Sequence, residues 1–277
     1  MNTKGLYNYD FGKAWKTLHV ERREGYSTSV TDFHEHPFYE INLILSGNFK
    51  ILLKDRFEEG SGCKIVLTRP NTPHYISCTS DVLYRRIYLL FTEELVASFL
   101  PEWRQLSEVF GENGAILSVN QEQTEAFLHL IEQIEGEQSV FGQRLLIYYL
   151  LLQLGKHAKR STNEQEKPSY IFDALIYMEN HYFEKIDFSE FAQKLCVGRT
   201  KMMTEFKLYV GCTMGEYLCQ CRLKNAIRYL KEGKTMEYTA EKCGFADGSS
   251  LIRAFKRVYG MPPHRYLSVM KKETDFR

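Results

Sequence analysis

The chain has 277 residues, 44% hydrophobic and 26% charged, an ordinary globular composition long enough for two domains. A formal net charge of +1 excludes a polyanionic or polycationic chain, but the charge is uneven: residues 171–277 carry 18 Lys+Arg against 13 Asp+Glu, and residues 1–170 carry 18 against 22. Seven cysteines with no CxxC spacing read as free thiols in a reducing compartment, with neither a disulfide framework nor a zinc site.

No N-terminal run joins a basic start to an apolar stretch and a small-residue cleavage site, so the expected location is the cytoplasm. From about Asn8 to Phe91 the chain is a series of short β-branched and aromatic runs broken by turn residues. Strands are predicted at Glu40–Leu45, Phe49–Leu53, Lys64–Leu67 and Val82–Phe91, a pattern that suits a barrel or sandwich. From Glu93 onward the period lengthens: Gln121–Ile134 puts Phe127, Leu130, Ile131 and Ile134 on one helical face, and Ser139–Leu154 is a more apolar helix. Its Leu145–Leu154 window falls well short of the roughly 20 residues needed to cross a bilayer, so no membrane span is expected. These two helices are expected to cover a sheet edge and to pair with a second copy in a homodimer. Gly155–Ser169 has no apolar period and is rich in charge, Ser and Asn. The expected division is therefore a ligand-sensing and dimerisation domain over 1–158, a linker over 159–169 and a nucleic-acid-binding domain over 170–277.

Seven helices are predicted in the last domain: Tyr170–His181, Phe188–Leu195, Arg199–Tyr209, Met214–Leu230, Met236–Cys243, Gly248–Tyr259 and Pro263–Met270. They contain an internal repeat. Phe206-Lys207, Gly211 and Tyr217-Leu218 recur 49 positions on as Phe255-Lys256, Gly260 and Tyr266-Leu267. A short amphipathic run precedes each copy and ends in a break, at Val197-Gly198 in the first and at Gly244–Asp247 in the second. Helix, turn, helix, twice over, is the form of two helix-turn-helix motifs. Asp187 with Glu190 has capping-box spacing, Asp247 is the expected N-cap of the sixth helix, and Gly211 and Gly260 fall where the second helix of each motif must end.

Only the outer face of such a second helix, near its N-terminus, can reach base edges in the major groove. In the first motif Met202, Phe206 and Tyr209 form the inward stripe, which leaves Arg199, Thr200, Lys201, Met203, Thr204 and Lys207 outside. Thr200 and Thr204 are the candidate base readers, and Arg199 and Lys201 suit phosphate. In the second motif Leu251, Ala254, Phe255 and Val258 turn inward, leaving Gly248, Ser249, Ser250, Arg253 and Lys256. Arg253 stands out, because a guanidinium can bond bidentately to guanine. Taken singly, each of these polar residues is also what a solvated helix face carries; the duplication is what weighs against chance. The helix between the motifs spans about 25 Å, a strut on the scale of one DNA turn.

Residues 170–270 resemble the AraC/XylS family of bacterial transcription regulators, most clearly in Gly244-Phe245, Arg253, Phe255-Lys256, Gly260, Pro262 and Tyr266, with Arg222 and Ala226 in the connecting helix. Thr239 and Gly198 depart from the family's usual Ile and Ser. The resemblance implies two helix-turn-helix motifs acting on promoter DNA, an effector-sensing N-terminal barrel, contact with RNA polymerase, and activation more often than repression.

In the first half, His34-Glu-His36-Pro-Phe-Tyr39-Glu40 and Gly47 fit HxHx3Ex6G, with His74 following Pro70-Asn71-Thr-Pro73. This looks like a cupin barrel. The fold class is therefore α+β: a cupin-like β-barrel with flanking helices, then an all-α domain. The resemblance leaves two uses for the motif beside a merely structural role. His34, His36, Tyr39, Glu40 and His74 would hold a small organic effector, sugars included, or the three His and Glu40 would ligate a metal, as in metal cupins. Cys63-Lys64 and Asn71 depart from the second cupin motif, so the effector is favoured, with no metal and no cofactor expected. The chain reads as a non-enzymatic regulator. A metal-dependent cupin enzyme with an appended nucleic-acid-binding module is the alternative, and non-specific nucleoid binding a third reading.

Overall fold

The computed structural model describes residues 17–25, 32–78, 82–97, 102–157, 159–162, 165–166 and 168–268. It divides into two compact units, Met1–Lys167 and Pro168–Arg277. The expected strand-rich stretch begins at Asn8, and residues 8–16 lie outside the described residues, as do the last two positions of the seventh predicted helix.

The first unit is built on strands β1 (Leu18–Gly25), β2 (Asp32–His34), β3 (Tyr39–Ser46), β4 (Asn48–Leu52), β5 (Arg56–Ser61), β6 (Lys64–Thr68), β7 (His74–Cys78) and β8 (Tyr84–Phe91). Two short helices follow, α1 (Glu93–Val96) and α2 (Trp103–Leu106), then β9 (Ala115–Ser118), α3 (Gln121–Gly136) and α4 (Val140–His157), with β10 (Lys159–Arg160) and β11 (Gln165–Glu166) last. They form two antiparallel sheets, β1-β8-β3-β6-β9-β10 and β11-β5-β4-β7-β2.

Alternation along β3 sets up two cores. Tyr39, Ile41 and Leu43 point to the outer side of the six-stranded sheet, where Phe127, Ile131 and Ile134 of α3 and Ile147, Leu150, Leu151 and Leu154 of α4 pack on them. Ile44 instead joins Phe49, Ile51, Val66, Ile76, Tyr84 and Ile116 between the sheets. Each large apolar side chain so buried contributes about 1.5–3 kcal/mol. The start of α3 is fixed by a capping box between Asn120 and Gln123. The Tyr148 hydroxyl donates to the Val96 carbonyl, which ties α4 to α1. Sequence periodicity misses β9, which lies inside the stretch read as helical yet pairs with β6.

The expected linker needs correction. Lys159 and Arg160 pair with Ser118 and Leu117, and Gln165 and Glu166 pair with Phe57 and Arg56. Residues 159–160 and 165–166 thus supply an edge strand to each sheet, and the unit boundary falls after Lys167. Two-residue strands held by backbone bonds need no apolar period, so composition alone reads them as linker.

The second unit contains α5 (Ser169–Asn180), α6 (Phe188–Lys194), α7 (Arg199–Val210), α8 (Met214–Lys231), α9 (Met236–Lys242) and α10 (Gly248–Tyr259). Residues 263–268 are helical as well, so the described residues of this unit hold the seven helices expected. The sequence repeat proves to be a repeat of contacts. Phe206 meets Tyr217 with ring centroids 5.8 Å apart at 69°, and Phe255 meets Tyr266 at 5.3 Å and 73°, both edge-on. Gly211 (φ 88) and Gly260 (φ 69) end α7 and α10 in the left-handed region, each N–H returning 2.9 Å to the Lys207 or Lys256 carbonyl. A Thr213–Glu216 capping box starts α8, the 18-residue connecting helix.

Candidate nucleic-acid interface and ligand site

Both helix-turn-helix turns close in the same way. The Val197 N–H reaches the Ala192 carbonyl at 3.0 Å, and the Phe245 N–H reaches the Ala240 carbonyl at 2.9 Å. The left-handed residue is Cys196 (φ 53) in the first and Gly244 (φ 73) in the second. Gly198, which stands where the family usually has a Ser N-cap, is the extended N-cap of α7 and has no side chain to accept the free N–H groups.

On α7, Arg199, Thr200, Lys201, Thr204 and Lys207 are all exposed, as read from the sequence. Met202, Phe206 and Val210 are the buried stripe; Tyr209, expected there, is only half-buried. The Tyr170 hydroxyl of α5 donates to Glu205, which is also 3.9 Å from Lys201. On α10 the Asp247 carboxylate accepts from the Ser250 N–H and hydroxyl, both at 2.6 Å, and these bonds hold its pKa below the ordinary value. Ser249, Arg253 and Lys256 are exposed, and Ser250 is half-buried with its hydroxyl also accepting from Arg253 Nη2 at 3.3 Å.

Gly248, expected to face the groove, does not. It is buried against α9, where a Cβ would stand 3.1 Å from Glu237 Oε1 and 3.2 Å from Met236 Cγ, so it faces the partner helix and not the groove. Sequence reading missed Arg257, exposed one turn beyond Arg253; the i, i+4 spacing carries that signal. Arg253, Arg257, Cys219 and Arg222 line a concavity of about 460 Å³ between α8 and α10. Arg222 is pinned there by the Tyr182 and Glu184 carbonyls, at 2.7 and 2.8 Å.

In the barrel, β2 and β7 place His34 directly opposite His74, β3 supplies Glu40, and the loop between β2 and β3 supplies His36. One ligand atom from each of the four lies within 4.8 Å of all the others. His36 Nε2 donates to Glu40 Oε2 at 2.8 Å, His74 Nε2 is 3.4 Å from the same oxygen, and Asn42 Nδ2 donates to Glu40 Oε1 at 2.9 Å. His74 Nδ1 lies 2.8 Å from the Thr72 carbonyl and must donate to it, which turns Nε2 toward Glu40. Burial alone would raise the Glu40 pKa, but the bonds and charges of His36 and His74 outweigh it and hold the carboxyl well below the usual range.

Tyr39 is not part of this cluster. Strand alternation sends it to the opposite face, where it stacks on Phe91 at 5.5 Å and meets Trp103 at 5.1 Å. The same alternation turns Tyr75 away from its neighbour His74. The inner face carries residues the motif did not mark. Glu21 and Tyr88 stand in register with Asn42; Arg23 Nε donates to Glu21 at 2.9 Å, and the Arg23 and Arg86 guanidiniums lie 5.2 and 5.0 Å from the Tyr88 ring centroid.

A barrel with a buried polar cluster, joined to a domain of two helix-turn-helix motifs, defines a ligand-controlled, DNA-binding transcription regulator. Residues 19–155 match the AraC-like ligand binding domain, and residues 191–268 match a helix-turn-helix domain. The chain belongs to the AraC family. It is 26% identical over 244 residues to a probable transcriptional regulator, LumQ, of Photobacterium leiognathi, covering 84% of this chain and 91% of that one. It is 23% identical over 248 residues to the transcriptional activator RhaS of Escherichia coli, covering 83% and 85%. Among solved structures, ToxT of Vibrio cholerae aligns over 91% of this chain and 98% of its own at 15% identity, with a TM-score of 0.38. No helix among the described residues is long and apolar enough to cross a membrane.

Proposed function

We propose that the chain is a cytoplasmic, homodimeric activator, not an enzyme, that reads promoter DNA with α7 and α10 under control of a small organic effector held in the barrel. The carrying observation is the duplicated unit, in which the same Phe–Tyr contact and glycine cap present an exposed polar face twice. Thr200, Thr204, Ser249, Ser250 and Arg253 are the base-facing set, and Arg199, Lys201, Lys207, Lys256 and Arg257 serve phosphate. His34, His36, Glu40 and His74, with Asn42, form the polar end of the effector pocket, and sugar hydroxyls suit such donors and acceptors.

Arg253→Ala should cost about 1–3 kcal/mol of discrimination between specific and competitor DNA, whereas Lys256→Ala should weaken both about equally and reduce the salt slope by about one. Competition titrations at several salt concentrations measure both. Equal losses of specific and competitor binding on Arg253→Ala would remove that residue from the base-reading set.

Support for the dimer comes from α4, whose far side carries exposed Phe141, Leu145, Tyr149 and Leu152 in a helical stripe. A Leu145→Asp/Tyr149→Asp chain is expected to sediment as a monomer with its fold intact; an unchanged dimer would place the interface elsewhere. Activation is favoured by the likeness to RhaS, which is named a transcriptional activator, and contact with RNA polymerase belongs to the same reading; run-off transcription from a promoter bearing a bound site decides its sign.

A further inference from the structure

The concavity between α8 and α10 carries chemistry that base reading does not use. Its walls are two helical stripes, Gly215 to Arg222 on α8 and Ser250 to Arg257 on α10, each at i, i+3, i+4, i+7 spacing, with Phe245 beside them. Leu218 and Ala254 are buried and Phe245 half-buried, which gives the lining an apolar part. The rest is dominated by the guanidiniums of Arg222, Arg253 and Arg257, and no carboxylate lines the concavity among the described residues. The acids at the starts of the two helices are engaged in capping: Glu216 accepts from the Thr213 N–H and hydroxyl, both at 2.8 Å, and Asp247 from Ser250.

The three arginines are held differently. Arg222 is half-buried, fixed through Nε and Nη2 to two backbone carbonyls, and burial draws its pKa below the ordinary guanidinium value, the mark of a cation deprived of water. Arg253 and Arg257 are exposed. Arg257 Nη2 donates to the Cys219 sulfur at 3.3 Å, and Arg253 Nη2 to the Ser250 hydroxyl at 3.3 Å. Both are long bonds to neutral acceptors, and an anionic oxygen in their place would make bonds about twice as strong.

We propose that this concavity binds a small organic phosphate and that its occupation competes with DNA. Guanidinium forks match phosphate oxygens bidentately, and three forks around one space suit a tetrahedral dianion better than a planar carboxylate. Arg222 is already in position, so holding it adds little ordering cost. The volume of about 460 Å³ exceeds one phosphate group and lies within the roughly 300–1,000 Å³ of small-ligand pockets, which leaves Leu218, Ala254 and Phe245 to cover an apolar body. Such a ligand occupies Ser250, Arg253 and Arg257, the donors assigned above to bases and backbone. It therefore acts on the DNA-binding unit directly, apart from the effector of the barrel. The competition rests on the reading of α10 as a DNA-contacting helix; the pocket itself does not.

The test is calorimetric titration of the full chain with phenyl phosphate at constant ionic strength. One equivalent is expected, with binding about tenfold weaker or more in Arg257→Ala and in Arg253→Ala, the loss of one charge-assisted bond. Lys194→Ala, which removes an exposed cation from α6, should leave binding unchanged, and inorganic phosphate should bind more weakly because it leaves the apolar lining uncovered. Saturating phenyl phosphate should displace a random-sequence duplex from the wild type. A folded chain that takes up no phenyl phosphate, or arginine variants that take up as much as the wild type, would overturn the pocket. If Arg257→Ala weakens DNA binding while no phenyl phosphate is taken up, the phosphate served is that of the DNA backbone, and the small-molecule site fails with the regulator reading intact. Uptake without displacement defeats the competition. Selection of DNA sites is read separately, and its absence counts against the regulator reading whatever the phosphate result.

Discussion

Replacing Lys64 by Ala is expected to destabilise the N-terminal unit by about 3–5 kcal/mol, the usual cost of stripping one partner from a buried ion pair. Lys64 Nζ lies 2.7 Å from Glu58 Oε1, with side-chain exposures of 9% and 1%, and it also donates to Ser118 at 2.8 Å and Ser161 at 3.0 Å. Alanine would leave the Glu58 carboxylate enclosed without this cation and would remove one hydrogen bond each from Ser118 and Ser161. Urea unfolding followed by hydrogen exchange of the β6 amides reads the loss where it occurs. The double variant Glu58→Leu/Lys64→Met should recover most of the stability, because an apolar pair of similar size avoids the desolvation cost that the charges carry. A Lys64→Ala loss below about 1 kcal/mol would mean that water reaches Glu58 and that the pair does not hold the barrel closed.

Gly244→Ala is expected to disable the second helix-turn-helix motif. A Cβ there would stand 2.7 Å from the Phe183 carbonyl oxygen and 3.0 Å from the Tyr182 carbonyl oxygen, on a backbone at φ +73. The left-handed penalty of about 1–2 kcal/mol adds to an overpacking cost of about 1–3 kcal/mol. Together they predict a loss of about 2–5 kcal/mol and a shift of α10 against α9, with DNA affinity falling accordingly. Gly260→Ala is the control. Its φ is +69 but its Cβ would meet nothing within 4 Å, so only the conformational penalty applies. Equal melting losses in the two variants would show that the carbonyl contact is unimportant.

The second half of the chain is the more legible in sequence. Its helices are amphipathic runs bounded by local signals such as Asp247, Thr213 with Glu216, Gly211 and Gly260, and their observed limits fall within a residue or two of those predicted. Only one arm of the predicted Asp187–Glu190 capping box forms: Asp187 accepts from the Ser189 and Glu190 N–H groups. In the first half the longer apolar strands are readable. The strands β1, β2, β5, β7, β9, β10 and β11 are not individually readable, because backbone pairing with other strands holds them and side-chain pattern does not.

The spacing of His34, His36 and Glu40 announces a cluster, and the strand period of two is enough by itself to send Tyr39 to the face opposite Glu40. Gly248 cannot be placed in the same way. Its burial depends on α9 packing across the start of α10, a tertiary contact that no local pattern carries.

If α7 and α10 form one sequence-reading face, selection of binding sites from a random DNA pool at about 150 mM salt, where purely electrostatic binding is weakened, will enrich a motif. Two conserved blocks about one helical turn apart are expected in it, one for each helix-turn-helix motif. A pool that remains random after selection by folded protein would contradict it.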